Sequence, residues 1–112
     1  MATDQLSTVL SALADPTRRG LLARLAAGEA TVGELAKPYD MSMAAISKHL
    51  KVLENAGLVE QGRSAQYRPR KLNPKPLEEI DGWLADLRKQ WEDRFDRLQN
   101  YLALIQKVHR DD

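Results

Sequence analysis

Cysteine is absent from this 112-residue chain. That removes disulfides, thiolate metal sites, thiol redox sensing and cysteine nucleophiles together. Histidine occurs only at positions 49 and 109. No Ser/His/Asp or Cys/His set, no glycine-rich phosphate loop and no metal-ligand spacing is recognisable. The chain therefore reads as a non-enzyme with no cofactor and no metal. No run of 18 apolar residues occurs, so no segment is expected to span a membrane. Met1–Gln5 has neither a basic region nor an apolar core behind it, which argues against a signal peptide and predicts a cytoplasmic protein. Internal repeats and low-complexity segments are also missing.

What is present suits a single domain over residues 1–112. Apolar residues make up 43% of the chain, enough for one compact core but not two. The net charge of +1 hides an uneven distribution. Residues 1–40 carry four Lys/Arg against five Asp/Glu, and residues 74–112 carry seven against nine. Residues 41–73 carry six (Lys48, Lys51, Arg63, Arg68, Arg70, Lys71) against two, Glu54 and Glu60. A positive patch in the middle third is what a polyanion-binding surface needs, although a solvated charged face has the same composition.

Apolar spacing predicts a helix over 4–14, with Leu6, Val9, Leu10 and Leu13 in register. Asp15-Pro16 breaks it and opens a second helix, which runs to about Ala27 and stops at Gly28. Thr31-Val32-Gly33-Glu34 is a capping box for a short third helix that Pro38 should end. Ser42 suits the N-cap of a fourth helix, Met43 to Ala56, with Gly57 as its stop. Two short strands follow, Leu58–Gln61 and Gln66–Lys71, with Gly62–Ala65 as the turn between them. Pro69 requires the second strand to be short or interrupted. Asn73-Pro74 then caps a long last helix reaching about Val108. Two short helices joined by a tight turn (about 31–56), followed by a basic hairpin (about 58–71), make a winged helix-turn-helix arrangement. The fold class is mainly α with one small β-hairpin.

At 100° per residue the fourth helix has two faces. Ile46, Leu50 and Leu53 point to the core. Ala44, Lys48, Lys51 and Asn55 lie opposite, with Ser47 beside them. Small residues let a helix backbone approach base edges, and lysines reach phosphate or guanine. The same pattern also fits an ordinary amphipathic surface helix. His49 falls at the margin of the core, either as a half-buried histidine bonded within the fold or as a phosphate contact. Arg63 and Arg68 flank the hairpin turn, within reach of phosphates or a narrow minor groove.

The segments ALADPTRRGLLARL (12–25), TVGELA (31–36), MAAISKHLKVLENAGLV (43–59) and LNPKPLEEIDGWL (72–84) resemble the ArsR-type winged-helix repressors. The likeness is closest to their metal-independent, SdpR-like branch and runs from about Leu6 to Leu102. It implies a homodimer that binds an imperfect palindrome in double-stranded DNA. It further implies groove contacts by Ser42, Met43, Ala44, Ser47, Lys48 and Lys51, with Gly62–Arg68, including Arg63, Gln66 and Arg68, as the wing. Two features of that family are missing. The cysteine motif of its metal sensors is absent from Glu34–Tyr39, and no histidine occurs between residues 50 and 108, where others place ligands on the last helix. Carboxylates alone are a poor zinc set, so metal sensing is not expected.

Along the last helix Leu77, Ile80, Leu84, Leu87, Trp91, Arg94, Leu98, Tyr101 and Ile105 step by three and four alternately. This is a heptad seam in which Phe95 substitutes for Arg94. About 33 residues give roughly 50 Å of helix, more than a domain of this size can cover. The seam, with Leu102 beside it and Leu6, Val9 and Leu10 from the first helix, is therefore the expected homodimer interface. Packing on its own domain alone is the alternative. A membrane-surface role is disfavoured because the charges are mixed and net acidic. The expected function is sequence-specific repression by a homodimer. The alternative is a winged-helix protein-interaction module, which would not need the middle-third basic excess. The residues do not say whether a small-molecule effector exists.

Overall fold

The computed structural model describes residues 4–62 and 68–110. Its element order is α1 (Gln5–Ala12), α2 (Pro16–Ala26), α3 (Val32–Ala36), α4 (Met43–Asn55), β1 (Val59–Gln61), β2 (Arg70–Leu72) and α5 (Lys75–Arg110). This is the mainly helical winged helix-turn-helix expected, with β1 and β2 antiparallel in the register Val59↔Leu72, Glu60↔Lys71 and Gln61↔Arg70. The chain divides between Glu79 and Ile80 into two compact units.

Local capping sets most boundaries. Asp4, Asp15, Thr31 and Ser42 each accept a backbone N–H three residues on, closing the first turns of α1 to α4. Thr31 and Glu34 bond reciprocally as a capping box. Gly57, at φ 78°, ends α4 with a backbone geometry that suits glycine, and its carbonyl accepts from Asn73 Nδ2 at 2.9 Å. Several boundaries shift from expectation. Leu13 and Ala27 are C-caps of α1 and α2, not helical residues, and Ala56 caps α4. The second strand begins at Arg70 rather than Gln66: Pro69 has no N–H to donate, and Arg68 has a left-handed φ of 36°. The expected turn and strand residues Arg63, Ser64, Ala65, Gln66 and Tyr67 lie outside the described residues.

In the first unit α4 is the central element, packing against α1, α2, α3 and β1. Leu21, Leu35, Ile46, Leu50, Leu53, Leu58 and Val9 are fully buried around it, and no polar or charged residue is buried with them among the described residues. Ala30, just before α3, exchanges backbone hydrogen bonds with Arg70 in both directions, so the base of the hairpin is fastened to the start of the helix-turn-helix. Gly62 donates its N–H to the Pro69 carbonyl at 2.6 Å. A Cβ at Gly62 would lie 2.8 Å from the Pro69 ring, so the strands can approach there only because the side chain is missing. The second unit is the remainder of α5. Among the described residues no helix is long and apolar enough to cross a membrane.

The caps give a pH dependence. The Ser7 backbone and hydroxyl hold the Asp4 carboxyl below its ordinary value, and the Arg18 backbone N–H does so for Asp15. Carboxylates depressed in the folded state stabilise it fully above their unfolded pKa, near 4, and lose that contribution as pH falls through the lower folded value. Asparagine caps a helix without titrating. The decline in melting temperature between pH 5 and pH 3 is therefore expected to be shallower in Asp15→Asn than in the unsubstituted protein. Parallel thermal scans check it, and equal slopes would refute the role of the cap.

Candidate nucleic-acid interface

The exposed face of α4 is built by its own periodicity. With Ile46, Leu50 and Leu53 buried, Ala44, Lys48 and Lys51 are exposed on the opposite side with Ser47 on its flank, and Met43 is exposed in the first turn on the side of Leu50. Ser42 is exposed at the N-cap, where its hydroxyl accepts from Ala45 N–H at 3.1 Å. All six expected α4 contacts are exposed, and Ala44, Ser47, Lys48 and Lys51 share one side of the helix. Small side chains occupy the first turns and two ammonium groups the later ones. The arrangement lets a backbone approach a narrow partner at one end while charge is neutralised at the other. The N-terminal end of the helix dipole adds a partial positive charge beside Ala44.

On the hairpin, Arg68 is exposed at the foot of β2. Arg63 and Gln66, the other expected wing contacts, lie outside the described residues. By charge count Arg70 belongs to the basic patch, but its Nε donates to Glu54 Oε1 at 2.7 Å, with both side chains largely shielded from solvent. Glu54 also accepts from Gln61 Nε2 at 3.2 and 3.3 Å. This pair ties the last turn of α4 to the strands and takes Arg70 out of the charge available to a polyanion. Lys71 stands across the ladder from Glu60, so part of its charge is locally offset too. Lys48, Lys51 and Arg68 are the described basic residues of the middle third that have no such counter-charge.

Two arginines that sequence reasoning left without a role belong to the scaffold. Arg18 Nε and Nη2 donate to the carbonyls of Ala12 and Ser11 at 2.7 and 3.2 Å, and Arg19 Nη1 donates to Leu13 at 2.8 Å. They bond carbonyls at the end of α1, of which that of Ser11 also accepts the Ala14 N–H. A pair of arginines just inside a capped helix that follows a helix end is the signal for this. His49 is half-buried, with Nδ1 at 3.4 Å from Arg18 Nη1 and 3.9 Å from Asp15 Oδ2.

The expected dimer residues separate into two groups. On α5, Leu84, Leu87, Trp91, Phe95, Leu98, Tyr101 and Leu102 are exposed, Leu77 and Ile105 are half-buried and Ile80 is buried. Trp91 and Phe95 stack with ring centroids 5.6 Å apart and planes 8° from parallel, so Phe95 joins the stripe in place of Arg94. On α1, Leu10 is exposed and Leu6 half-buried, but Val9 is 1% exposed. Val9 is a correction: it packs in the protomer's own core and has no surface left for a partner.

Residues 13–62 match a family model described as a helix-turn-helix domain. The chain is 33% identical over 81 residues to the transcriptional repressor SdpR of Bacillus subtilis, spanning 72% of this chain and 90% of that protein. Its fold is similar to the crystal structure of an ArsR family transcriptional regulator, with a TM-score of 0.75 and 40% identity over 80% of this chain and 98% of the other. It is also similar to the homodimeric winged helix-turn-helix DNA-binding domain (fragment 1–100) of a Mycobacterium bovis protein. There the TM-score is 0.62 and the identity 26%, over 78% and 81% of the two chains.

Proposed function

Because the chain belongs to the ArsR family of winged helix-turn-helix transcriptional regulators, we propose that it is a homodimeric repressor that reads a palindromic operator and does not sense metals. Its activity is DNA-binding regulation of transcription, not catalysis. The observation that carries the reading is the outer face of α4, where Ala44, Ser47, Lys48 and Lys51 are exposed together over a buried face, with Ser42 and Met43 exposed at its N-terminal end. Each α4 enters a major groove, and Arg68 lies at the base of a wing directed to the flanking backbone. A second copy covers the α5 stripe, and Leu6 and Leu10 of α1 are offered to it as well. Two such helices related by a twofold axis ask for two half-sites about one helical turn apart.

Metal independence is supported by the donor inventory. The sequence has no cysteine and two histidines, and among the described residues no three His, Asp or Glu side chains converge as a metal set. The test is a nuclease footprint of the purified protein on its own upstream DNA, repeated with stoichiometric zinc, cadmium or arsenite. A protected two-part site with unchanged midpoints is expected. Absence of any protected site would sink the regulatory reading. A tenfold weakening by metal, reversed by a chelator, would sink the metal independence alone.

A further inference from the structure

His49 lies on the flank of α4, between its exposed and buried faces, and is tied to the α1–α2 corner. Arg18 is itself anchored there, by its bonds to the Ala12 and Ser11 carbonyls at 2.7 and 3.2 Å. Its Nη1 is 3.4 Å from His49 Nδ1. A guanidinium has only donors, so in this contact Nδ1 accepts and the ring N–H is the one on Nε2. Asp15 Oδ2 is 3.9 Å from the same Nδ1, beyond hydrogen-bond reach, and already accepts the Arg18 backbone N–H at 3.0 Å. Nε2 has no hydrogen-bond partner among the described residues, and no side-chain nitrogen there is buried without one. The Nε2–H donor is therefore not fully buried and is left without a protein partner among the described residues.

We propose that His49 is a DNA-backbone contact, its Nε2–H donating to a phosphate and its tautomer and ring orientation fixed by Arg18 as a positioning residue. This rests on the reading of α4 as the recognition helix. An α-helix is about 10–12 Å across and the major groove about 12 Å wide, so the helix flanks, not only its outer line, face the phosphate walls. His49 is about 100° around the helix from Lys48, on such a flank. Asp15 is the anion paired with it among the described residues, and the Arg18 guanidinium offsets that charge, so a phosphate approaching Nε2 does not meet an uncompensated carboxylate there.

The experiment uses the amide isosteres. Gln places its amide nitrogen near the position of Nε2, and Asn places it near Nδ1. Fluorescence anisotropy is measured with the footprinted duplex and with a random duplex over a salt series. His49→Asn is expected to bind both duplexes about 3- to 10-fold more weakly per subunit, the loss of one hydrogen bond. Its salt slope stays unchanged, since no cation is removed. His49→Gln stays within about twofold of the unsubstituted protein. A long-range proton–nitrogen NMR spectrum of the free, unsubstituted protein shows the Nε2–H tautomer, and Arg18→Met loses that preference. Wild-type binding by His49→Asn, an equal loss in His49→Gln, or an Nδ1–H tautomer overturns the assignment. Lys48→Ala, run in parallel, identifies which reading failed: if it too binds like wild type, α4 is not the DNA face and both fall.

Discussion

Trp91→Ala combined with Leu87→Ala is expected to leave no folded dimer at micromolar concentration. Both side chains lie on the α5 stripe and are at least half exposed in the protomer, 65% for Trp91 and 51% for Leu87. A helix of 36 residues is about 54 Å long, and an apolar stripe of that length in water is not a stable end state for a small domain. When a second chain covers it, truncating a buried Leu costs about 2–5 kcal/mol and a buried Trp about 3–5 kcal/mol. The two sites are one turn apart and need not add fully, but the loss occurs in both chains. A typical domain has only about 5–15 kcal/mol of stability in all. Sedimentation is expected to show monomer or unfolded chain for the double variant. The unsubstituted protein should melt at a temperature that rises with its concentration, as folding coupled to association requires. Asp93→Ala, on the opposite side of α5, should change neither measurement. A wild-type chain that sediments as a stable monomer would remove the premise.

How much of this could be read from the sequence depends on how far apart the cooperating residues stand. The capping box at Thr31 and Glu34, the caps at Asp15 and Ser42 and the stop at Gly57 are interactions across three or four residues, so their residue types announce them. The faces of α4 were legible because one helical period sorts Ile46, Leu50 and Leu53 from Ala44, Lys48 and Lys51 without knowledge of what lies on either side. The Arg70–Glu54 pair joins residues 16 apart, from the second strand to the end of α4, and nothing local to Arg70 separates it from Arg68. A charge count therefore assigned both to the basic patch. Val9 shows the same limit in apolar form. Periodicity places it beside Leu6 and Leu10, but one apolar stripe can face the protomer's own core or a second chain. Only the packing, with Val9 buried and Leu10 exposed, divides the stripe between them.

Ala44→Glu is expected to abolish specific DNA binding while leaving the fold intact. Ala44 is exposed in the first turn of α4, on the side opposite Ile46 and Leu50, so a larger side chain there displaces nothing in the core. A carboxylate in the first helical turn also suits the helix dipole, by about 0.3–1 kcal/mol, and the variant should melt no lower than the parent. In the groove the same change acts oppositely. It brings bulk against base edges that an alanine allows the backbone to approach, and a negative charge between two phosphate walls. A single lost or mismatched base contact costs about 1–3 kcal/mol, and a dimer makes the error in both half-sites, so a loss of about 100-fold or more is expected. Arg68→Ala provides the contrast. It removes one phosphate contact, weakens operator and random DNA about equally, and lowers the salt slope by about one per subunit. Lys48→Ala should fall between them, since an ammonium serves guanine or phosphate. Affinities of the three variants for both duplexes at several salt concentrations separate these outcomes. If Ala44→Glu binds the operator like the unsubstituted protein, α4 does not lie in the groove.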